Sequence, residues 1–151
     1  MFSIDITNFT KQRVPQKLMH EVAAYTVKKL RLDGELSLVL AGDKRLHSLN
    51  RDYRRKDKAT DILTFPAPKG SIGALGEIFI NLDDCRRSKK YVDVFTEKKS
   101  FNYLLIFLLI HGLLHLSGLN DEKEAERVKM IEVGEKMMKE LVKNGIMKAQ
   151  T

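Results

Sequence analysis

The chain has 151 residues, 43% hydrophobic and 31% charged, with 27 Lys plus Arg against 20 Asp plus Glu and a formal net charge of +7. That balance excludes a disordered or fibrous chain and suits one globular domain, residues 1–151, with a real core. One cysteine, Cys85, excludes an intramolecular disulfide, and Met1-Phe-Ser-Ile-Asp-Ile lacks a basic start and an apolar stretch, so a reducing cytoplasm is the expected compartment.

Phe2, Ile4 and Ile6 alternate with polar residues and predict an opening strand. Pro15 begins a helix to about position 32, with Leu18, Val22, Tyr25 and Leu30 near one face. Asp33-Gly34 is a turn, and Leu36, Leu38 and Leu40 alternate in a second strand. Asp43 is placed to cap a helix containing Leu46, Leu49 and Tyr53. Ile62, Leu63 and Phe65 predict a third strand ended by Pro66. Residues 67–75, with Pro68, Gly70 and Gly73, read as a mobile loop. Residues 77–80 form the fourth strand, and a short helix follows over 82–91. Thr96 is the expected cap of a long apolar helix, which two histidines make too short and too polar to span a bilayer. A last helix runs from near Asp121 to Asn144, stopped by Gly145. This order suits an α/β or α+β domain with one small sheet, the long apolar helix being its most buried element.

The strongest chemical signal is His111-Gly-Leu-Leu-His115-Leu-Ser-Gly-Leu-Asn-Asp121. Side chains four apart share one helix face, so both imidazoles can reach one metal ion. Gly118 can end the helix and turn the chain, bringing Asp121 back as a third ligand. Two histidines and a carboxylate leave room for water, the pattern of a catalytic metal site. Chance pairs at this spacing are often mere packing histidines, which is why context matters. Gly112 stands where a zinc peptidase carries its general-base Glu, so this is not a peptidase site of that type.

The second signal is cationic. Arg51, Arg54, Arg55, Lys56 and Lys58 crowd just before the third strand, and Arg86, Arg87, Lys89 and Lys90 form another cluster. The excess favours a polyanionic partner, and an Arg near a metal suits a phosphodiester. The plainer alternative is that Arg54 pairs with Asp57 or Asp61 and pins the loop. The last helix mixes both signs and reads as a solvated face.

Together these residues resemble the YbeY family of bacterial metal-dependent endoribonucleases. The family signature runs roughly His-Gly-x-Leu-His-Leu-x-Gly-Tyr-Asp-His, and this chain follows it from His111 through Gly118. Leu49-Asn50, Tyr53-Arg54, Asp57-Lys58, Thr60-Asp61, Leu63 and Phe65-Pro66 resemble a second block, and Gly76-Glu77-Ile78 resembles the family's Gly-Asp-Ile strand. The resemblance implies an α+β fold, a small mixed four-stranded sheet packed with about five to six helices, the central buried one carrying the metal ligands. It implies one divalent, zinc-like ion on His111, His115 and Asp121, with Arg54 as the functional arginine. It also implies a part in rRNA maturation, at the 3′ end of small-subunit rRNA, and in ribosome quality control. The small subunit and ribosomal proteins are then the partners, with no membrane role. Asp121 falls where most of the family has histidine, and Leu119-Asn120 replaces Tyr-Asp. A carboxylate can ligate zinc, but it brings the site closer to neutral, which implies a less acidic water and more tolerance of other divalent ions.

The expected chemistry is attack on a phosphodiester by water activated at the metal, or by a ribose 2′-hydroxyl, with Arg54 holding the phosphate. Arg51, Arg55, Lys56, Lys58, Arg86, Arg87, Lys89 and Lys90 are the expected contacts to the RNA backbone. Asp57, Asp61 and Ser117 are the side chains available as general base. Two alternatives remain open: a ribosome-assembly binding factor with a structural metal, and a metal-dependent hydrolase of another substrate.

Overall fold

The computed structural model describes residues 1–149. Strand β1 (Ser3–Asn8), helix α1 (Gln16–Lys29), β2 (Glu35–Ala41), α2 (Asp43–Arg54), β3 (Ile62–Pro66) and β4 (Ala74–Asn81) come first. They are followed by α3 (Leu82–Cys85), a 3-10 turn (Ser88–Tyr91), α4 (Phe101–Leu116) and α5 (Glu124–Lys143). One sheet forms in the order β1-β2-β4-β3, with β1–β2 and β2–β4 parallel and β3–β4 antiparallel. The chain is thus a single-domain α+β fold with a mixed four-stranded sheet.

Strand alternation sorts the sheet into two faces. Register sets Ile4 and Ile6 beside Leu36 and Leu38, then Leu38 and Leu40 beside Ile78 and Ile80, then Ile80 beside Ile62. This apolar face packs on α1 and α4 in the main core. The other face carries Ala41, Leu63, Phe65 and Phe79 against Leu46 and Leu49 of α2, a smaller core. Helix α4 is apolar almost all round and is buried from Leu104 through Ile110. A helix with no polar face must be covered on every side. Its cover comes from α1, β3, β4 and α5, the last through Met130, Met137, Met138 and Leu141.

Two glycines set how near the helices lie. A Cβ on Gly112 would sit 2.9 Å from Ile78 Cδ1, 3.0 Å from Ile78 Cγ2 and 3.1 Å from Ile62 Cδ1, so α4 rests directly on β3 and β4 there. A Cβ on Gly134 would lie 3.1 Å from the Phe107 ring, where α5 crosses α4.

Several boundaries differ from the sequence reading. Ser100, not Thr96, caps α4, its hydroxyl accepting from Tyr103 N–H, because residues 96–99 are turn and coil. The expected helix over 82–91 splits into α3 and the 3-10 turn. Strand β4 starts at Ala74, shortening the expected loop, because its pairing with β2 begins there, Ala74 opposite Glu35. Asp43 is the first residue of α2 rather than its cap, and its own N–H is capped by Asp83 Oδ2 at 2.8 Å. Its carboxylate instead accepts from Asn81 Nδ2 at 2.7 Å and from Arg87. Among the described residues, no helix is long and apolar enough to cross a membrane.

Two outcomes follow from this packing. Gly112→Ala overpacks the α4–sheet contact and should destabilise by about 1–3 kcal/mol in urea unfolding, with partial recovery when Ile78→Val makes room. An unchanged midpoint for Gly112→Ala would show that the contact yields freely. The Arg87 guanidinium beside Asp43, with Asn81 assisting, holds that carboxyl down at about 2. A depressed carboxylate stabilises above its unfolded pKa, near 3.8 here, and the gain is lost as pH falls from there toward 2. Asp43→Asn should therefore lose less stability than the wild type between pH 4 and 2. Parallel losses in both proteins would remove Asp43 as a source of acid sensitivity.

Candidate metal centre

Helix α4 ends at Leu116, and Gly118, at φ +107°, turns the chain back. Leu119 N–H bonds to Leu114 carbonyl at 3.2 Å and Gly118 N–H to His115 carbonyl at 2.9 Å, so the last turn is closed by backbone. The reversal sets Leu119 carbonyl 3.0 Å from His115 Nδ1 and swings Asp121 onto both imidazoles. A carbonyl only accepts, so His115 Nδ1 carries the hydrogen and Nε2 presents its lone pair inward.

Three ligand atoms converge. His111 Nε2 and His115 Nε2 lie 3.1 Å apart, and Asp121 Oδ2 stands 3.1 Å from the first and 3.3 Å from the second. The three residues form a group with one ligand atom each, all within 4.8 Å of one another. The three residues expected from the sequence thus come together as a candidate ligand set, with Asp121 brought in by the Gly118 turn. His111 Nδ1 is buried without a partner and the His111 ring stacks on Phe107, centroids 6.3 Å apart. The imidazole is thus oriented by packing on one side and by the facing ligand atoms on the other. The His111 hydrogen bond holds the Asp121 carboxyl down at about 2. Asp121 is therefore an anion across the whole neutral range. Two inward nitrogens and one carboxylate oxygen suit a borderline cation such as zinc.

The triad opens on a cleft of about 530 Å³ lined also by Arg54, Asp61, Tyr91, Asn120 and Arg127. Arg54 is the last residue of α2, and the chain leaves the helix through Arg55 in the left-handed region, φ 56°. Buried Asn50 fixes that exit, donating Nδ2 to Lys58 carbonyl at 2.9 Å and accepting Lys56 N–H on its own carbonyl at 3.2 Å. The alternative that Arg54 is tied to Asp57 or Asp61 is not what forms. Asp57 pairs with His47 at 2.6 Å, Asp61 with Tyr91, and Arg54 makes no ion pair among the described residues.

The basic clusters are built differently. Arg51 is exposed and pairs with its neighbour Asp52 at 3.2 Å, while exposed Arg55, Lys56 and Lys58 make no ion pair among the described residues. In the second cluster Arg86 pairs with Asp83, Arg87 with Asp43 and Asp84, and Lys90 with Asp84 at 2.7 Å. Arg87 ties α3 to α2, and all three cations are locally neutralised; Lys89 is exposed. Of the three candidate bases only Asp61 lines the cleft, since the Ser117 hydroxyl donates to Leu114 carbonyl at 2.6 Å. Cys85 is buried, and burial, with Asp61 and Asp84 nearby, pushes its thiol up to about 12, so it is a packing residue.

Sequence reasoning missed Tyr91 and Arg127. Tyr91 sits in a segment read as plain helix, and Arg127 in a helix whose mixed charges look like a solvated face. Neither has a local signal; only the packing of α5 and the 3-10 turn beside α4 brings them to the cleft.

The model of the family described as Endoribonuclease YbeY matches residues 3–142. A relative of that name from Myxococcus xanthus is 42% identical over 123 residues, covering 78% of this chain and 40% of that protein. One from an Anaeromyxobacter species is 39% identical over 117 residues, 76% of this chain and 58% of that protein. The match thus spans less than two thirds of either relative. One from Geobacter sulfurreducens is 33% identical over 119 residues, with 75% of this chain and 76% of that protein covered. A solution structure of a Thermotoga maritima protein superposes with a TM-score of 0.62 at 26% identity, over 94% of this chain and 91% of that one. The two-histidine helix, its glycine turn and the block around Arg54 therefore sit in a chain that belongs to the endoribonuclease YbeY family.

Proposed function

We propose that this protein is a metal-dependent endoribonuclease that cuts single-stranded RNA in the maturation of rRNA, at the 3′ end of small-subunit rRNA, and in ribosome quality control. One observation carries the reading: two inward imidazole nitrogens and a carboxylate converge in the same cleft as the guanidinium of Arg54, which has no ion-pair partner among the described residues. The relatives' name, endoribonuclease, supports it.

His111, His115 and Asp121 are proposed to hold one divalent ion, zinc by the nature of the donors. Such an ion supplies a Lewis acid and lowers the pKa of water beside it. The chain's own residues do the rest. Leu119 carbonyl keeps His115 in the tautomer that faces inward. Arg54 offers a planar fork to the phosphodiester and offsets charge that develops there. Arg51, Arg55, Lys56 and Lys58, with Lys89, track the backbone beyond the cleft. Arg86, Arg87 and Lys90 contribute a field weakened by their own acids. The small ribosomal subunit, with its proteins, is the proposed partner and the cytoplasm the proposed compartment.

Cleavage of a small-subunit rRNA 3′-end fragment tests this. Identically purified wild type and His115→Ala should differ completely, the wild type cutting and the variant not. Equal cutting, or none by either, would transfer the reading to an assembly factor with a structural metal. Arg54→Ala should keep its metal and lose about 10²–10³-fold in rate. Elemental analysis should find Asp121→Ala depleted of metal relative to wild type; an undiminished content would remove Asp121 from the ligand set. RNA affinity should fall steeply with added salt, and less steeply once Arg55, Lys56 and Lys58 are changed to Ala.

A further inference from the structure

The cleft contains one anionic side chain that the metal triad leaves unused. Asp61 stands immediately before β3 and lines the cleft with Arg54, His111 and His115. It is held at two points. Its carbonyl accepts Asn81 N–H at 2.8 Å, and its Oδ2 accepts the Tyr91 hydroxyl at 3.0 Å. Tyr91 is 6% exposed, and burial together with Asp61 and Asp84 raises its phenol well above the usual range. The phenol therefore stays protonated and the bond runs one way, from Tyr91 to Asp61. Among the described residues Asp61 has no cationic partner and no second donor to its carboxylate. A carboxylate offers about four acceptor sites, so most of its capacity faces the cleft.

A fixed anion is a poor neighbour for a phosphodiester. In a nucleic-acid cleft it can only face a group that brings a hydrogen. The donor bonded closest to the phosphate in RNA is the ribose 2′-hydroxyl, and DNA has none. A volume of about 530 Å³ lies within the range of a site for one small ligand, so the triad and Asp61 address one and the same stretch of chain.

We infer that Asp61, positioned by Tyr91, accepts a hydrogen bond from a ribose 2′-hydroxyl and makes the cleft selective for RNA over DNA. This rests on the endoribonuclease reading and extends it to a specificity-determining residue. Asp61 is the acceptor that meets the sugar. Tyr91 is a positioning residue that acts through it.

Fluorescence anisotropy with a short single-stranded RNA and the DNA of the same sequence tests the inference, the RNA being checked for integrity on a gel afterwards. Wild type should prefer RNA by about tenfold, the scale of one hydrogen bond to a charged acceptor. In Asp61→Asn the amide oxygen must serve the buried Tyr91 hydroxyl, which leaves the sugar only a neutral NH2 donor in place of a charged acceptor. That variant should lose most of the preference, through RNA alone, with DNA affinity unchanged or higher because a repelling charge is gone. Tyr91→Phe should lower the preference a few-fold and leave DNA binding alone. A purely structural role for either residue would weaken RNA and DNA alike, and that result overturns the inference. So does a wild type that binds both equally, or an Asp61→Asn protein that keeps its preference. If circular dichroism shows the variants unfolded, single 2′-deoxy substitutions walked along the RNA decide on wild type alone: one position must cost about tenfold, and none doing so is fatal. A wild type that binds neither polymer overturns the endoribonuclease reading itself, which separates the two failures.

Discussion

Helix α4 lies so close to β3 and β4 that a single methyl at position 112 would meet Ile78 at 2.9 Å. That proximity governs where His111 and His115 stand, because both flank the contact on the same helix. Moving α4 outward would lift the imidazoles away from the wall formed by residues before and along β3. A helix this apolar has no alternative resting place, since every side demands cover. The hydrophobic sequence fixes the depth of the helix and the glycine sets its distance from the sheet. The polar residues at its end then inherit a defined position.

The positive charge of the chain is not spread evenly in its effect. Around α3, acids from two elements absorb the charges of Arg86, Arg87 and Lys90, and the Arg87–Asp43 pair braces α3 against α2. After α2, in the turn held by Asn50 and by Arg55 in the left-handed region, Arg55, Lys56 and Lys58 are exposed and make no ion pair among the described residues. Similar local charge thus makes a strut around α3 and an exposed basic surface after α2.

The convergence of His111, His115 and Asp121 was legible in the sequence because its cause is local: i,i+4 spacing on a helix, then a glycine that permits positive φ, then a carboxylate. The strands were legible for the same reason, through alternation at Ile4, Leu38 and Ile78. What stayed hidden depends on tertiary packing. Ser100 and Thr96 are equally good capping residues, and only the start of burial decides between them. The pairing of Arg87 with Asp43 joins residues of separate elements, so the 86–90 stretch read as open cation. Tyr91 reaches Asp61 across thirty positions of sequence, and no periodicity announces it.

All three inward ligand atoms come from one short stretch, residues 111–121, whereas Arg54, Asp61 and Tyr91 arrive from elsewhere in the chain. The two halves of the cleft are therefore separable in heredity. Exchanging Asp121 for another ligand type would change the candidate ion site while leaving Arg54, Asp61 and Tyr91 where they are.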